Sequence, residues 1–217
     1  MITAATAIIA ALAQITLPVS LRRRERLLRE FIDHEQVPHR KELLVELHGA
    51  VSARILGGLL VPGWRFIEPL WLMVAGAAQY LVWQRSASVW NLVLAVLISL
   101  VIVTTPARRI IRLSCERARV IHEYEIASSE IRRPRLGILS QMEGGTRVEF
   151  VYALFASAAI NLVAIGSALA ILNLPAVGLG IGILGLIGLI VIFRRIQMYV
   201  RRRVTVFGPW STDDTSD

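Results

Sequence analysis

Residues 89–109 read VWNLVLAVLISLVIVTTPARR, an apolar run that passes through Val89–Thr105 without one charge and ends on Pro106, Arg108 and Arg109. A helix of that length comes close to the roughly 30 Å of a bilayer's hydrocarbon core. An uncharged run that stops on arginines marks a helix leaving the membrane on its basic side. Four more stretches share this character: Ile2–Ser20, Phe66–Trp83, Phe150–Leu172 and Ala176–Phe193. Across the 217 residues, 55% are hydrophobic and the mean hydropathy is +0.59. The excess sits in blocks rather than being spread as in a soluble core.

Between the blocks, the basic residues fall on alternate sides. Segment 21–65 carries nine of them, segment 106–149 nine, and the tail after Phe193 five. The turn at 84–88 has Arg85 alone and the turn at 173–175 has none. The positive-inside rule therefore predicts both long loops and the C-terminus in the cytoplasm, as in a protein of the bacterial inner membrane. Net charge is +8, with 24 Lys and Arg against 16 Asp and Glu. Because the arginines bracket apolar runs, that charge points to anionic lipid headgroups and away from nucleic acid. Trp64 and Trp71 mark the inner end of the first hairpin, and Tyr80, Trp83 and Trp90 its outer end.

The expected fold is all-α and polytopic, with two transmembrane hairpins and an N-terminal span. It divides into an anchor (1–20), basic amphipathic helices (21–65), a first hairpin (66–105), a cytoplasmic stalk and loop (106–149), a second hairpin (150–193) and a disordered tail (194–217). The first stretch lacks the basic leader of a signal peptide, so it reads as an uncleaved anchor. An interfacial helix is the alternative, since Gln14 and Pro18 weaken a span.

In segment 21–65, Leu27, Leu28, Phe31 and Ile32 form an apolar stripe flanked by Arg24, Arg29, Glu30 and Asp33, next to the cluster Arg22, Arg23, Arg24 and Arg26, and Pro38 ends the helix. A second helix is expected over Arg40–Ile55, with Leu43, Leu47, Val51 and Ile55 on one face. Ile110, Leu113, Arg117, Val120, Tyr124, Ala127 and Ile131 follow heptad spacing, which predicts a coiled-coil-like helix running on from Val89 to Arg132. Pro106 is a potential kink in it. Thr146 and Glu149 have the spacing of a capping box at the start of the fourth span.

Few residues carry chemistry. Gly178, Gly180 and Gly182 in the last span are the candidate helix-packing face, with Gly166 and Ala170 opposite. Asn161 lies in mid-span and suits an interhelical hydrogen bond, whereas Glu68 reads as a helix-start residue before Pro69. His39 with Glu42, and His122 with Glu125, are surface ion-pair spacings rather than metal sites. Cys115 reads as a small packing residue. No phosphate-binding loop, nucleophile elbow or paired-cysteine motif occurs, so no catalytic residue, metal or cofactor is assigned.

These features lead to a non-catalytic membrane scaffold or regulator whose partner, lipid or protein, contacts Arg22, Arg23, Arg24, Arg26, Leu27 and Phe31. A homo-oligomeric pore or membrane-perturbing effector, built on the glycine face, is the second reading. A membrane-bound lipid-modifying enzyme is the third.

Overall fold

The computed structural model describes residues 20–83, 89–126, 131, 133–134, 136–137, 146–171 and 174–206. Among these, 92% are helical and none lies in a strand. The expected first span, the outer turn at 84–88, the loop around Gly144-Gly145 and residues 207–217 lie outside the described residues, as do Ala127 of the heptad seam and Arg132 at the expected end of its helix, while residues 194–206 of the tail expected to be disordered are helical.

Helix α1 covers residues 20–34. His34 closes it by placing Nδ1 2.8 Å from the Glu30 carbonyl oxygen. The Glu35 carboxylate then accepts from the Val37 N–H at 3.1 Å. Pro38 opens α2 (Pro38–Leu60) at the first helical position, where its missing N–H costs nothing. A single 3₁₀ turn, Gly63–Phe66, leads into α3 (Ile67–Trp83). Next comes α4 (Val89–Glu125), a helix of 37 residues, followed by α5 (Arg147–Ile171) and α6 (Pro175–Val206).

Helix α4 stops at Glu125, short of the expected Arg132, and it passes through Pro106 unbroken. In the turn just ahead of that proline, the Leu100 carbonyl collects hydroxyl donors from Thr104 at 2.6 Å and Ser157 at 3.1 Å.

Four helices are long and apolar enough to cross a membrane: Pro38–Leu60, Val93–Glu125, Arg147–Ile171 and Pro175–Arg203. The 17 residues of α3 rise about 26 Å, a little under the hydrocarbon thickness.

The chain forms two compact units, one holding α1, α2 and the part of α4 from Leu113, the other holding α3, α4 up to Arg112, and α5 with most of α6. In the first, α2 turns Ala53 and Gly57 inward. A Cβ on Gly57 would stand 2.7 Å from Ile121 Cγ1, so glycine permits α2 and α4 to meet there. Of the stripe on one face of α2, Leu43 and Leu47 are exposed, and Val51 and Ile55 are only half-buried. Small residues at the contact and large aliphatics outside is the arrangement of membrane helices. The heptad seam buries Leu113 and Val120, then opens to solvent at Tyr124.

In the second unit consecutive helices run antiparallel. Glu68 meets Arg109 and Gly76 meets Ser99, so α3 lies along α4. Ser99 reaches Asn161 and Arg112 reaches Glu149, so α4 lies along α5. Gly178 seats against Gly166 and Ala170, and Gly185 against Ala159 and Val163, so α5 lies along α6. At this last contact a Cβ on Gly166 would fall 2.4 Å from the Gly182 nitrogen. Backbones that touch leave no volume for side chains.

Gly180 departs from the expected packing face. Nothing lies within 4 Å of a Cβ placed on it, because it sits about 160° around the helix from Gly182. Replacing Gly178 with Leu is expected to cost at least about 2 kcal/mol through overpacking. Gly180→Leu should stay within about 0.5 kcal/mol of the parent. Thermal denaturation in detergent distinguishes the two.

Candidate functional site

The chemistry-bearing side chains of the second unit lie in two layers. The deeper one is uncharged. Ser99 Oγ stands 2.7 Å from Asn161 Oδ1 and 3.1 Å from the Gly76 carbonyl oxygen. A hydroxyl has one proton, and the shorter distance favours Asn161 as its acceptor. The Asn161 amide donates to the Ser157 carbonyl one turn back at 2.8 Å. Ser99, Ser157 and Asn161 are all buried. The expected interhelical bond of Asn161 is thus present, and it ties α4 to α5.

The second layer is charged and sits where the apolar runs end. Arg109 on α4 pairs with Glu68 on α3 at 2.9 Å. Glu68, expected as a helix-start residue, does stand in the first turn of α3, and it also carries this ion pair. One turn further along α4, Arg112 Nε donates to Glu149 Oε2 at 3.1 Å, the two side chains being 7% and 0% exposed. The other carboxylate oxygen accepts from the Tyr199 hydroxyl of α6 at 3.4 Å. Tyr199 also lies 3.2 Å from Thr146 Oγ1 and packs its ring 5.5 Å from that of Tyr152.

The expected capping box is seen in its backbone bond. The Glu149 N–H donates to Thr146 Oγ1 at 3.4 Å. The Glu149 side chain makes its described bonds to Arg112 and Tyr199. The spacing Thr-x-x-Glu therefore located a real N-terminus and missed the residue's larger role, linking three helices.

The first unit has its own buried charges. Arg119 donates to Glu116 at 2.7 Å and to Glu123 at 2.9 Å, all three on α4. The sequence signal was available: Glu116, Arg119 and Glu123 follow i, i+3 and i+4 spacing. Arg65 lies over the Trp64 indole, 4.3 Å from the ring centroid.

The residues expected to meet a partner all lie on α1. Arg22, Arg23, Arg24 and Arg26 are exposed. The apolar stripe divides, with Leu28 and Ile32 half-buried while Leu27 is 44% and Phe31 61% exposed. Gly178 and Gly182 lie at the α5 contact and Gly180 does not. Trp64, Trp71 and Trp90 are exposed as interfacial residues would be, while the side chains of Tyr80 and Trp83 lie outside the described residues. Cys115 is buried. Among the described residues no three His, Cys, Asp or Glu side chains converge to hold a metal ion.

Comparison with protein-family models, curated proteins and solved structures finds no match to this chain. What its helices define is a class: by length and composition, a multi-pass helical membrane protein.

The Arg112–Glu149 pair yields a measurable expectation. Glu149→Ala should destabilise the protein by about 3–5 kcal/mol, because it strands a buried guanidinium. The double replacement Arg112→Met with Glu149→Leu should recover most of that loss, since neither charge is then left alone. Denaturation of the four corners of this cycle gives the coupling directly. Asn161→Ala should cost about 1 kcal/mol, the usual range for a hydrogen bond between membrane helices.

Proposed function

We propose that the protein is an integral membrane scaffold or regulator that docks a partner on its basic helix α1. The observation that carries this is the exposure of Leu27 and Phe31 between Arg22, Arg23, Arg24 and Arg26. An apolar pair in a cationic frame suits an acidic, amphipathic protein surface, with one apolar anchor and rim charges to steer it.

The topology goes with this reading. The Glu68–Arg109 and Gly76–Ser99 contacts run α3 beside the apolar part of α4, which supports a first hairpin that crosses the bilayer. If α2 crossed as well, Arg22, Arg23, Arg24, Arg26, Arg29, Arg40 and Lys41 would be left on the opposite side from segment 106–149. The positive-inside rule opposes that arrangement. Helix α2 also carries Glu46, His48 and Arg54 along its length, which suits a helix at the membrane interface. We therefore place α1, α2, segment 106–149 and the C-terminus on the cytoplasmic side of a bacterial inner membrane.

A homo-oligomeric pore is the alternative reading: Gly178 packs on α5 of the same chain, while the Cβ positions of Gly180 and Gly182 are open.

Single cysteines in a Cys115→Ser background test the topology. Leu174→Cys should react with a membrane-impermeant maleimide in intact spheroplasts, whereas Ser20→Cys and Arg201→Cys should react only after lysis. Labelling of Ser20→Cys from outside would show that α2 spans.

The docking reading is tested by the native mass of the complex after gentle extraction. A stoichiometric second protein, lost when Leu27 and Phe31 become Asp, is expected. A pure homo-oligomer of the chain, unaltered by those changes, would refute it.

A further inference from the structure

Arg108 differs from its neighbours in the charged layer of the second unit in having no described ion pair, although Arg109 likewise buries guanidinium nitrogens (Nε and Nη2) that have no hydrogen-bond acceptor. Arg109 has Glu68, and Arg112 has Glu149. Arg108 is half-buried, with Arg112 and Glu149 in electrostatic reach, and has no hydrogen bond or ion pair among the described residues. Its Nε–H is shielded from solvent and still lacks an acceptor. The layer holds three arginines on α4 and two carboxylates, Glu68 and Glu149. Of these three α4 arginines, Arg108 is the one without a described carboxylate partner.

A buried N–H of a guanidinium calls for an acceptor oxygen. The position says where one would come from. Thr105 is the last residue of the uncharged run, and Arg108 stands one turn beyond it, at headgroup depth. Leu94, Leu97 and Val101 are 55%, 56% and 69% exposed, and they lie within about 40° of Arg108 around α4. From Leu94 to Arg108 the helix rises about 21 Å, somewhat more than one leaflet of hydrocarbon at about 15 Å. A half-exposed cation with no described ion pair therefore stands at the head of an apolar track of acyl-chain length.

We infer that Arg108 and the exposed Leu94–Leu97–Val101 stripe form a binding site for one anionic glycerophospholipid, its phosphate on the Arg108 guanidinium and an acyl chain along α4. The positive charge of Arg108 selects a headgroup of net negative charge. A zwitterionic phosphatidylcholine brings a trimethylammonium group toward Arg112 and is disfavoured. This site is independent of whether α1 docks a protein.

The test is native mass spectrometry of the full chain in detergent, titrated separately with phosphatidylglycerol and phosphatidylcholine. The parent protein should retain one phosphatidylglycerol about tenfold more tightly than phosphatidylcholine, because both bring the phosphate but only phosphatidylcholine brings a second cation to the arginines. Arg108→Ala should bring phosphatidylglycerol down to the phosphatidylcholine level. Arg195→Ala, at an exposed arginine of α6, should leave the ratio unchanged. Equal affinity of Arg108→Ala and the parent for phosphatidylglycerol would overturn the site. So would displacement of the lipid by millimolar inorganic phosphate, which would indicate a free-anion site. Circular dichroism checks the fold of the variant, and Arg108→Gln serves if the alanine form is misfolded. A parent protein that does not discriminate between the two lipids overturns the proposal without any variant.

Discussion

Burying an ion pair is expensive, and the second unit of this protein is organised around having done it. Arg112 and Glu149 sit out of solvent between α4 and α5, where each charge alone would cost several kcal/mol. They persist because the pair is closed on both sides. Arg112 serves one carboxylate oxygen and Tyr199 of α6 the other, while Thr146 fixes the start of the helix that bears Glu149. Three helices are thereby held in one rotational setting, since a turn of any of them about its axis would break a buried contact.

The rest of the packing is compatible with that setting because little else resists it. Along α5 and α6 the contact is made by Gly166, Ala170, Gly178, Gly182 and Gly185. Helices in lipid gain nothing from hiding leucines from a solvent that is itself apolar, so close backbone approach supplies the attraction. Large side chains are left outside, as at Leu179, Ile183, Leu186 and Ile190. The position of α4 along α5 is specified by polar contacts at two depths, Ser99–Asn161 in the span and Arg112–Glu149 at its end. A lipid phosphate on Arg108 would extend the charged layer outward by one more contact of the same kind.

Much of this was legible in the chain. The apolar runs ending at Thr105 and beginning at Phe150, the start signal at Thr146, the break at Pro38 and the interhelical role of Asn161 all followed from composition and spacing. What escaped was direction. A helical wheel puts Leu43 and Leu47 on one face of α2 without saying what that face meets, and the buried residues of α2 are Ala53 and Gly57. That large apolar residues point inward is a rule for helices in water. The glycines of α6 misled in a smaller way: spacing could not tell Gly180, which faces nothing, from Gly178, which touches Ala170.

The sequence by itself determined that the chain is helical, membrane-embedded and asymmetric in charge, because hydrophobic length and arginine placement are properties of the chain before it folds. Only the tertiary structure decided which charge answers which. Arg108, Arg109 and Arg112 look alike in sequence, being basic residues within one and a half turns. Folding brings Glu68 to the second and Glu149 to the third and leaves the first with no described acceptor. That difference arises from the rotation of α4 against α3 and α5, a quantity that local spacing does not contain.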